Sequence, residues 1–196
     1  IMMPLMNGVT LCHKIKTNFE TSHIPVILLT ADSSDERKIT GMEVSADAYV
    51  TKPFNIRYLD ALVDSLIQNR VKLKEHFLGL KINKHSDDGL TKEDKLFIEK
   101  FQSFVNENYS SADLDIDKMA LHMACSRSQF NRKVKALLGI SPSILLKQVR
   151  LKKAYELLKN EQVSVSEAAF KTGFTDPNYF TSVFKKEFKK SPSQIK

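Results

Sequence analysis

One pattern of apolar and polar positions occurs twice in the C-terminal part of the chain, in residues 116–143 and 165–193. The matched positions are Ala120 with Ala169, Phe130 with Phe180, Val134 with Phe184, and Pro142 with Pro192. The offset is 49 residues for the alanines and 50 for the other pairs, a difference that a turn between two helices can absorb. This internal duplication predicts two units, each made of a helix, a tight turn and a second helix.

Polar residues at the expected helix starts support this division. The predicted N-caps are Asp115, Ser126, Ser164 and Asp176. Gln129 and Glu167 each lie three residues after a cap serine, which is the spacing of a capping box. Gly173 suits the positive φ of a sharp turn. The first unit has Ala124 at the same place, which is a weaker turn signal.

The segment between the two units is predicted to form one helix over 142–160. Its apolar stripe consists of Ile144, Leu145, Val149, Ala154, Leu157 and Leu158. A helix of this length spans roughly 27 Å. Two helix-turn-helix units on such a stiff connection could enter successive turns of a DNA major groove, which lie about 34 Å apart.

Basic residues are concentrated in the same part of the chain, whose formal net charge is +7 overall. Residues 1–70 contain 7 basic and 8 acidic side chains, whereas residues 126–196 contain 15 basic and 5 acidic ones. A basic surface on duplicated helix-turn-helix units indicates DNA binding. A solvated lysine-rich surface is the alternative.

The sequence gives little support for catalysis, cofactors or metal binding. The five histidines lack the spacing of a metal site, and there is no glycine-rich phosphate loop or Gly-x-Ser-x-Gly motif. Cys12 and Cys125 lie far apart among apolar neighbours, as expected of free thiols in a reducing compartment. No apolar run approaches 18 residues. We therefore expect no enzyme activity, no cofactor, no metal and no membrane contact by this part of the protein.

The first 80 residues alternate between helical and strand patterns. Helices are predicted over 7–18, 33–44 and 56–78, and strands over 24–30 and 47–51. The continuous apolar run at 24–30 is typical of a strand buried on both faces, and the alternation predicts a parallel α/β sheet. A polar linker over 81–91 then precedes an amphipathic helix over 92–108. Its apolar face is more simply explained by core packing than by a partner.

Residues 115–196 resemble the AraC-type DNA-binding domain. The motifs that carry the resemblance are Arg150-Leu151-(x)2-Ala154-(x)2-Leu157-Leu158, Ala168-Ala169-(x)3-Gly173-Phe174, Tyr179-Phe180-(x)3-Phe184-Lys185 and Ser191-Pro192-Ser193. The chain has Ile195-Lys196 where the family usually has an aromatic residue and an arginine. The resemblance implies two helix-turn-helix units joined by a linker helix, and sequence-specific binding of double-stranded DNA.

The pattern and the resemblance together indicate which residues would contact DNA. The residues expected to bind DNA on the reading helices are Arg127, Ser128, Gln129, Asn131, Arg132, Asn178, Tyr179, Ser182 and Lys185. Amide and guanidinium donors suit the edges of adenine and guanine. Lys133, Lys135 and Lys186 are expected to hold backbone phosphates, which position a protein without specifying sequence. For any single lysine, a solvated surface role is an equally simple alternative.

Residues 1–70 resemble the second half of a response-regulator receiver domain. The matching motifs are Met3-Pro4-(x)2-Asn7-Gly8, Pro25-Val26-Ile27-Leu28-Leu29-Thr30-Ala31, Ala46-Asp47-Ala48-Tyr49 and Lys52-Pro53-Phe54, with Ser45 departing from the usual glycine. The resemblance implies that Thr30 and Lys52 are remnants of a phosphoryl site and that Tyr49 is an aromatic switch residue. It also implies a cis peptide between Lys52 and Pro53.

The resemblance places the phosphorylated aspartate and the first three strands before Ile1. We therefore expect residues 1–196 by themselves not to accept a phosphoryl group. The strand at 24–30 would then have an unpaired edge, and an exposed apolar edge recruits another chain or loses order. The front part is accordingly expected either to pair with a second copy, as a homodimer, or to be poorly packed.

These features predict a mainly α chain that begins with a partial α/β part, an incomplete flavodoxin-like receiver with its last two strands. The predicted segments are the receiver part at 1–80, the linker at 81–91 and an all-α AraC-type domain at 92–196, with helix-turn-helix units at 115–138 and 164–188 and the linker helix at 142–160. The expected function is sequence-specific transcription regulation, as the cytoplasmic output part of a bacterial two-component phosphorelay. A histidine kinase would lie upstream in the same chain. The alternative for localisation is that this output part is the cytoplasmic part of an inner-membrane sensor. The alternatives are a kinase-docking or dimerisation module with non-specific nucleic-acid binding, and non-specific binding of RNA or a membrane surface.

Overall fold

A computed structural model describes residues 6–31, 46–79, 90–161 and 163–195. Its elements are α1 (Gly8–Thr17), β1 (Ile27–Thr30), β2 (Ala48–Thr51), α2 (Ile56–Phe77), α3 (Lys92–Asn108), α4 (Ile116–His122), α5 (Arg127–Leu138), α6 (Pro142–Asn160), α7 (Val165–Lys171), α8 (Pro177–Phe188) and a 3₁₀ turn (Pro192–Gln194). The predicted helix at 33–44 and most of the predicted linker lie outside the described residues. The expectation of a mainly α chain with two strands is confirmed.

The chain divides into two compact units, each with its own interior. The first unit comprises residues 1–98 and 132–139, and the second comprises 99–131 and 140–196. Helices α3 and α5 therefore each contribute residues to both units. The predicted boundary at the linker stays a prediction, because the linker is mostly undescribed.

The first unit contains a two-stranded parallel sheet, as the sequence predicts. Ile27 pairs with Ala48 and Thr30 with Thr51. The first strand is shorter than the predicted 24–30, because the Ile24 amide bonds to Thr21 and the Val26 amide donates to the Asp47 carboxylate. These two amides are therefore not available to a strand partner.

Helix starts in the first unit also follow the sequence. Asn7 caps α1 by accepting from the Thr10 amide, and Asn55 caps α2 by accepting from the Arg57 amide. The Lys52–Pro53 peptide is cis, which confirms that expectation. A buried ion pair was not expected: Nζ of Lys16 lies 2.6 Å from Oδ2 of Asp47.

The second unit is built around α6, whose apolar side chains pack against α7 and α8. Leu151, Ala154 and Leu158 are buried together with Phe180 and Phe184. Ile144 was expected on this apolar stripe, but it is 43% exposed. It lies in the first turn of α6 on a different side from the buried Leu145 and Leu146.

The two predicted turns adopt matching backbone conformations. Gly173, between α7 and α8, has a φ of +82°, and Ala124, between α4 and α5, has a φ of +53°. The sequence therefore identified the second turn by its glycine, whereas the first turn accepts the same left-handed conformation with a Cβ present. No helix within the described residues is both long and apolar enough to cross a membrane.

Candidate nucleic-acid interface

The first helix-turn-helix unit consists of α4 and α5. Asp115 caps α4 by accepting from the Lys118 amide at 2.8 Å. Ser126 caps α5, because its Oγ accepts from the Gln129 amide at 3.2 Å. Phe130 is fully buried against the ring of Phe101. This packing fixes the rotation of α5 about its axis.

The rotation of α5 exposes the polar residues of its first two turns. Arg127, Ser128 and Asn131 are all exposed, as the sequence predicts. Arg127 forms an ion pair with Asp117 at 2.9 Å, in which both side chains are more than half exposed. Such exposed pairs contribute little and are readily exchanged for a phosphate or a base.

Gln129 has a local structural role. Its Oε1 accepts from the Ser126 amide at 3.1 Å, so the side chain folds back and completes the capping box. Using this oxygen for the cap removes one of the two atoms needed for bidentate adenine contact. Its expected DNA contact therefore conflicts with the observed conformation, whereas the predicted capping box is confirmed.

Lys133 was expected at a backbone phosphate, and the structure corrects that expectation. Its side chain is 3% exposed and its Nζ lies 2.8 Å from Oδ1 of Asp94. The same ammonium donates to Ser22 Oγ at 3.0 Å and lies 4.1 Å from the centre of the Phe19 ring. Burial and these partners keep it from any phosphate in this conformation, whereas Lys135 is exposed on the same helix.

Arg132 belongs, like Lys133, to the first unit. Its guanidinium forms an ion pair with Glu20 at 2.8 Å, with the side chains 63% and 46% exposed. A pair with this exposure is worth about 0–1 kcal/mol. Arg132 is therefore accessible to a stronger anionic or base partner.

The second helix-turn-helix unit consists of α7 and α8. Ser164 caps α7 and Asp176 caps α8, with Pro177 at the first helical position. Glu167 was expected to complete a capping box, but it pairs with Lys171 one turn along α7 at 3.0 Å. That pair lowers the pKa of Glu167, mainly through the hydrogen bond from Lys171.

Helix α8 turns two phenylalanines inward and its polar side chains, together with Tyr179, outward. Phe180 and Phe184 are fully buried. The predicted contact residues on this helix are all exposed, namely Asn178, Tyr179, Ser182, Lys185 and Lys186. They occupy in α8 the place that Ser128, Asn131 and their neighbours occupy in α5.

A groove of about 550 Å³ lies between the two helix-turn-helix units. Arg127, at the start of α5, and Tyr179, in the first turn of α8, both line it. Helix α6 contributes Ile144 in its first turn, and then Lys147 and Arg150, three and six residues further on. The two predicted reading helices therefore open onto one shared surface of the second unit.

Lys147 and Arg150 also line this groove but were not among the predicted contact residues. The guanidinium of Arg150 donates hydrogen bonds to the Tyr109 and Ser111 carbonyls, so Arg150 supports the wall of the groove and is not assigned a DNA contact. With Ile144, Lys147 and Arg150 recur every three residues, which places all three on one face of α6. The helix-turn-helix pattern points to the second helix of each unit, so it does not single out residues of α6. Ile144 is thus on the groove side of α6 rather than in the core.

Two of the receiver-like residues, Thr30 and Lys52, lie at the carboxyl ends of the two strands. Thr30 ends β1 and is buried, and its carbonyl accepts from the Lys52 amide at 2.6 Å. Lys52 and Pro53 follow β2 and are exposed. Tyr49 is half-buried within β2, and this burial raises its pKa. The role of these residues as remnants of a phosphoryl site stays a prediction. The described residues contain no cluster of His, Cys, Asp or Glu that could hold a metal ion.

Two protein families match separate parts of the chain. Residues 1–64 match the response regulator receiver domain, and residues 119–196 match a helix-turn-helix domain. The chain is 34% identical over 194 residues to Histidine kinase P4 of Formosa agariphila, covering 99% of the chain and 14% of that protein. It is 32% identical over 90 residues to the HTH-type transcriptional activator RhaS of Escherichia coli, covering 46% of the chain and 32% of RhaS.

The chain therefore spans about a seventh of the first relative and about a third of the second. Among solved structures, a transcriptional regulator from Chromobacterium violaceum, described as containing an AraC-type DNA-binding domain, matches with a TM-score of 0.50 and 25% identity. The match covers 54% of the chain and 93% of that structure. The chain thus joins part of a response regulator receiver domain, in residues 1–64, to an AraC-type helix-turn-helix DNA-binding domain, in residues 119–196.

Proposed function

We propose that the chain is the output part of a two-component signalling protein and regulates transcription by recognising a specific duplex sequence. In this proposal α5 and α8 enter two successive major-groove turns of one DNA molecule. The observation that carries it is the shared groove, onto which the first turns of both helices open. Arg127 and Tyr179 line it and are exposed, whereas Phe130 of α5 and both Phe180 and Phe184 of α8 are buried.

The proposed division of labour follows the exposure of each side chain. Bases would be read by Ser128, Asn131, Arg132, Asn178, Tyr179 and Ser182. Backbone phosphates would be held by Arg127, Lys135, Lys185 and Lys186. These cations are exposed, and each can contact a phosphate without reading the base sequence. Lys133 and Gln129 are not part of this proposal, since one is buried and the other completes a helix cap.

Selection of bound duplexes from a random pool, with the 196-residue chain, tests the proposal. The expected sites contain two fixed blocks with centres about 10 base pairs apart. At one fixed salt concentration the selected duplex should bind about a thousandfold or more tightly than random duplex. Equal affinity for selected and random DNA would overturn sequence recognition. A single fixed block would mean that only one helix-turn-helix unit reads bases.

The similarity to a protein named histidine kinase supports a further part of the proposal. A kinase in the same polypeptide would supply the signal that the receiver part relays, and the DNA-binding part would act in the cytoplasm. Mass spectrometry of a polypeptide in which a histidine kinase precedes residues 1–196, after incubation with ATP, would detect the phosphoryl group, and no incorporation would contradict the relay.

Self-association of the receiver part is a second candidate function, supported by one observation. Helix α2 exposes five large apolar side chains, namely Ile56, Tyr58, Val63, Ile67 and Val71. Exposed apolar residues of this number on one helix favour a protein contact. We propose a homodimer. As the protein concentration rises, light scattering should show the wild type changing from the mass of one chain to that of two, whereas Ile67→Asp should keep the mass of one chain. A single mass for both proteins at all concentrations would contradict this candidate.

A further inference from the structure

The side chain of Arg150 joins the linker helix to the segment that leads into the first helix-turn-helix unit. Its Nε donates to the carbonyl oxygen of Tyr109 at 2.8 Å. Its second terminal nitrogen donates to the carbonyl oxygen of Ser111 at 2.7 Å. The same Ser111 oxygen accepts from the amide of Leu114, the residue before the cap of α4. Arg150 therefore fixes the entry of the chain into α4.

The other side of the guanidinium contacts the turn of the second helix-turn-helix unit. Gly173 lies between α7 and α8, and a Cβ built on it would lie 2.9 Å from Nε of Arg150 and 2.6 Å from the Tyr109 oxygen. Real Cβ atoms do not approach other atoms this closely, so Gly173 allows the two backbones and the guanidinium to meet. Next to it, the buried ring of Phe174 packs on Phe180 of α8.

Three segments thus meet at one side chain: α6, the entry to α4 and the α7–α8 turn. We propose that Arg150 is the positioning residue that fixes the spacing of the two helix-turn-helix units, and therefore the spacing of the two DNA blocks they read. The planar fork of an arginine can bond two carbonyls in fixed directions, which a lysine ammonium cannot do. Burial also lowers the pKa of Arg150, as expected of a group held between protein segments.

This inference rests on the proposed recognition of two DNA blocks, and it makes a separate claim about their distance. When two linked modules bind one ligand, the affinity gain depends on how well the link matches the span. A loosened junction should therefore reduce the gain without affecting either module alone. Arg150 has no predicted base or phosphate contact, so its loss should not change binding to an isolated block.

The experiment compares wild type with Arg150→Lys and Arg150→Met on the duplex selected from the random pool. It uses that duplex, versions with one or two base pairs inserted between the blocks, and a duplex that keeps only one block. The matched control is Lys159→Met, which removes one positive charge from the exposed end of the same helix. Circular dichroism checks that each variant keeps its helices.

Both Arg150 variants should bind the two-block duplex about tenfold more weakly than wild type, and the one-block duplex with unchanged affinity. Insertions should weaken wild type and Lys159→Met strongly but the Arg150 variants much less, since only a rigid junction requires one spacing. Unchanged spacing preference in Arg150→Lys would overturn the proposal. Equal loss on one-block and two-block DNA would also overturn it, because Arg150 would then support the fold alone. If wild type selects no duplex, the proposed function fails first.

Discussion

Nζ of Lys133 lies 2.8 Å from Oδ1 of Asp94, and neither side chain is more than 3% exposed. Asp94 also accepts from Ser22 Oγ at 3.0 Å, and its amide bonds to Thr91 Oγ1 at 3.1 Å. Its second carboxylate oxygen is buried without a hydrogen-bond partner among the described residues. The ammonium of Lys133 is therefore needed to neutralise the buried carboxylate of Asp94.

Removing one member of this pair should destabilise the first unit. Lys133→Met is expected to lower the free energy of unfolding by about 3–5 kcal/mol, because it leaves a buried carboxylate unpaired. Urea unfolding followed by circular dichroism measures the change. The control Lys135→Met removes an exposed lysine from the same helix and should change stability by about 0.5 kcal/mol or less.

The double variant Lys133→Met with Asp94→Leu provides a sharper comparison. It removes both charges together, so it should recover most of the stability lost in Lys133→Met. If Lys133→Met alone costs as little as Lys135→Met, the buried pair contributes nothing measurable. A double variant as unstable as the single one would place the loss in packing rather than in the charge.

The sequence predicted the helix starts well because caps are local. Asp115, Ser126 and Asp176 each bond to an amide two or three residues away, so residue type and spacing contain the needed information. The buried aromatic positions Phe130 and Phe180 were also predictable, since the duplicated pattern places them on the same face twice.

The environment of Lys133 could not be predicted in this way. Its neighbours Phe130 and Val134 point into the core, so position 133 lies at the edge of the buried face. A lysine at this position is either solvent-exposed or buried, depending on whether an acidic side chain lies opposite it. The partners, Asp94 and Ser22, come from distant parts of the chain, and no local pattern connects them.

The left-handed residue Ala124 offers a test of turn strain. A φ of +53° brings the Cβ of an L-residue close to the following carbonyl, which costs roughly 1–2 kcal/mol. Ala124→Gly removes that strain but adds freedom to the unfolded chain, so we expect a net gain of up to about 1 kcal/mol. Thermal and urea unfolding measure the gain.

The same substitution types at two other positions serve as controls. Ala136→Gly, inside α5, should lower stability by about 1 kcal/mol, because glycine is a poor helix former. Gly173→Ala should also destabilise the protein, since its Cβ would collide with the Tyr109 carbonyl oxygen. A loss of stability in Ala124→Gly comparable to that in Ala136→Gly would show that the turn is unstrained.

The buried thiol of Cys12 should make the free energy of unfolding depend on pH. Its side chain is fully buried, and this burial raises its pKa above the ordinary value of 9.0, although Lys16 opposes the shift. Below the ordinary pKa the thiol is neutral in both states, and its contribution to stability is fully present. As the pH rises above that value, the unfolded chain ionises first and binds fewer protons, so stability falls.

Cys12→Ala should therefore flatten the alkaline part of the stability curve. The difference in free energy of unfolding between wild type and Cys12→Ala should be constant below pH 9.0 and change above it, in favour of the variant. Cys125→Ala, at a half-exposed thiol, is the matched control and should follow the wild-type slope more closely. Parallel curves for wild type and Cys12→Ala throughout would contradict the assignment.

The exposed guanidinium of Arg132 provides the most direct test of base reading. Arg132→Ala should weaken binding to the selected duplex by about 1–3 kcal/mol and relax the preference at one base position. Lys135→Ala should instead weaken binding to the selected and the random duplex equally. It should also reduce the slope of log affinity against log salt concentration by about one. Competition binding at two salt concentrations separates these outcomes. Equal losses on both duplexes for Arg132→Ala would reject it as a base reader.

The ion pair between Arg132 and Glu20 adds a second expectation to that test. The guanidinium must leave Glu20 to contact a base, so Glu20→Gln should strengthen binding to the selected duplex. The gain should not exceed about fivefold, because an exposed pair contributes at most about 1 kcal/mol. In the Arg132→Ala background the same Glu20→Gln change should have a smaller effect, since the ion pair with Arg132 is absent. An equal gain in both backgrounds would mean that Glu20 acts only through its general repulsion of DNA.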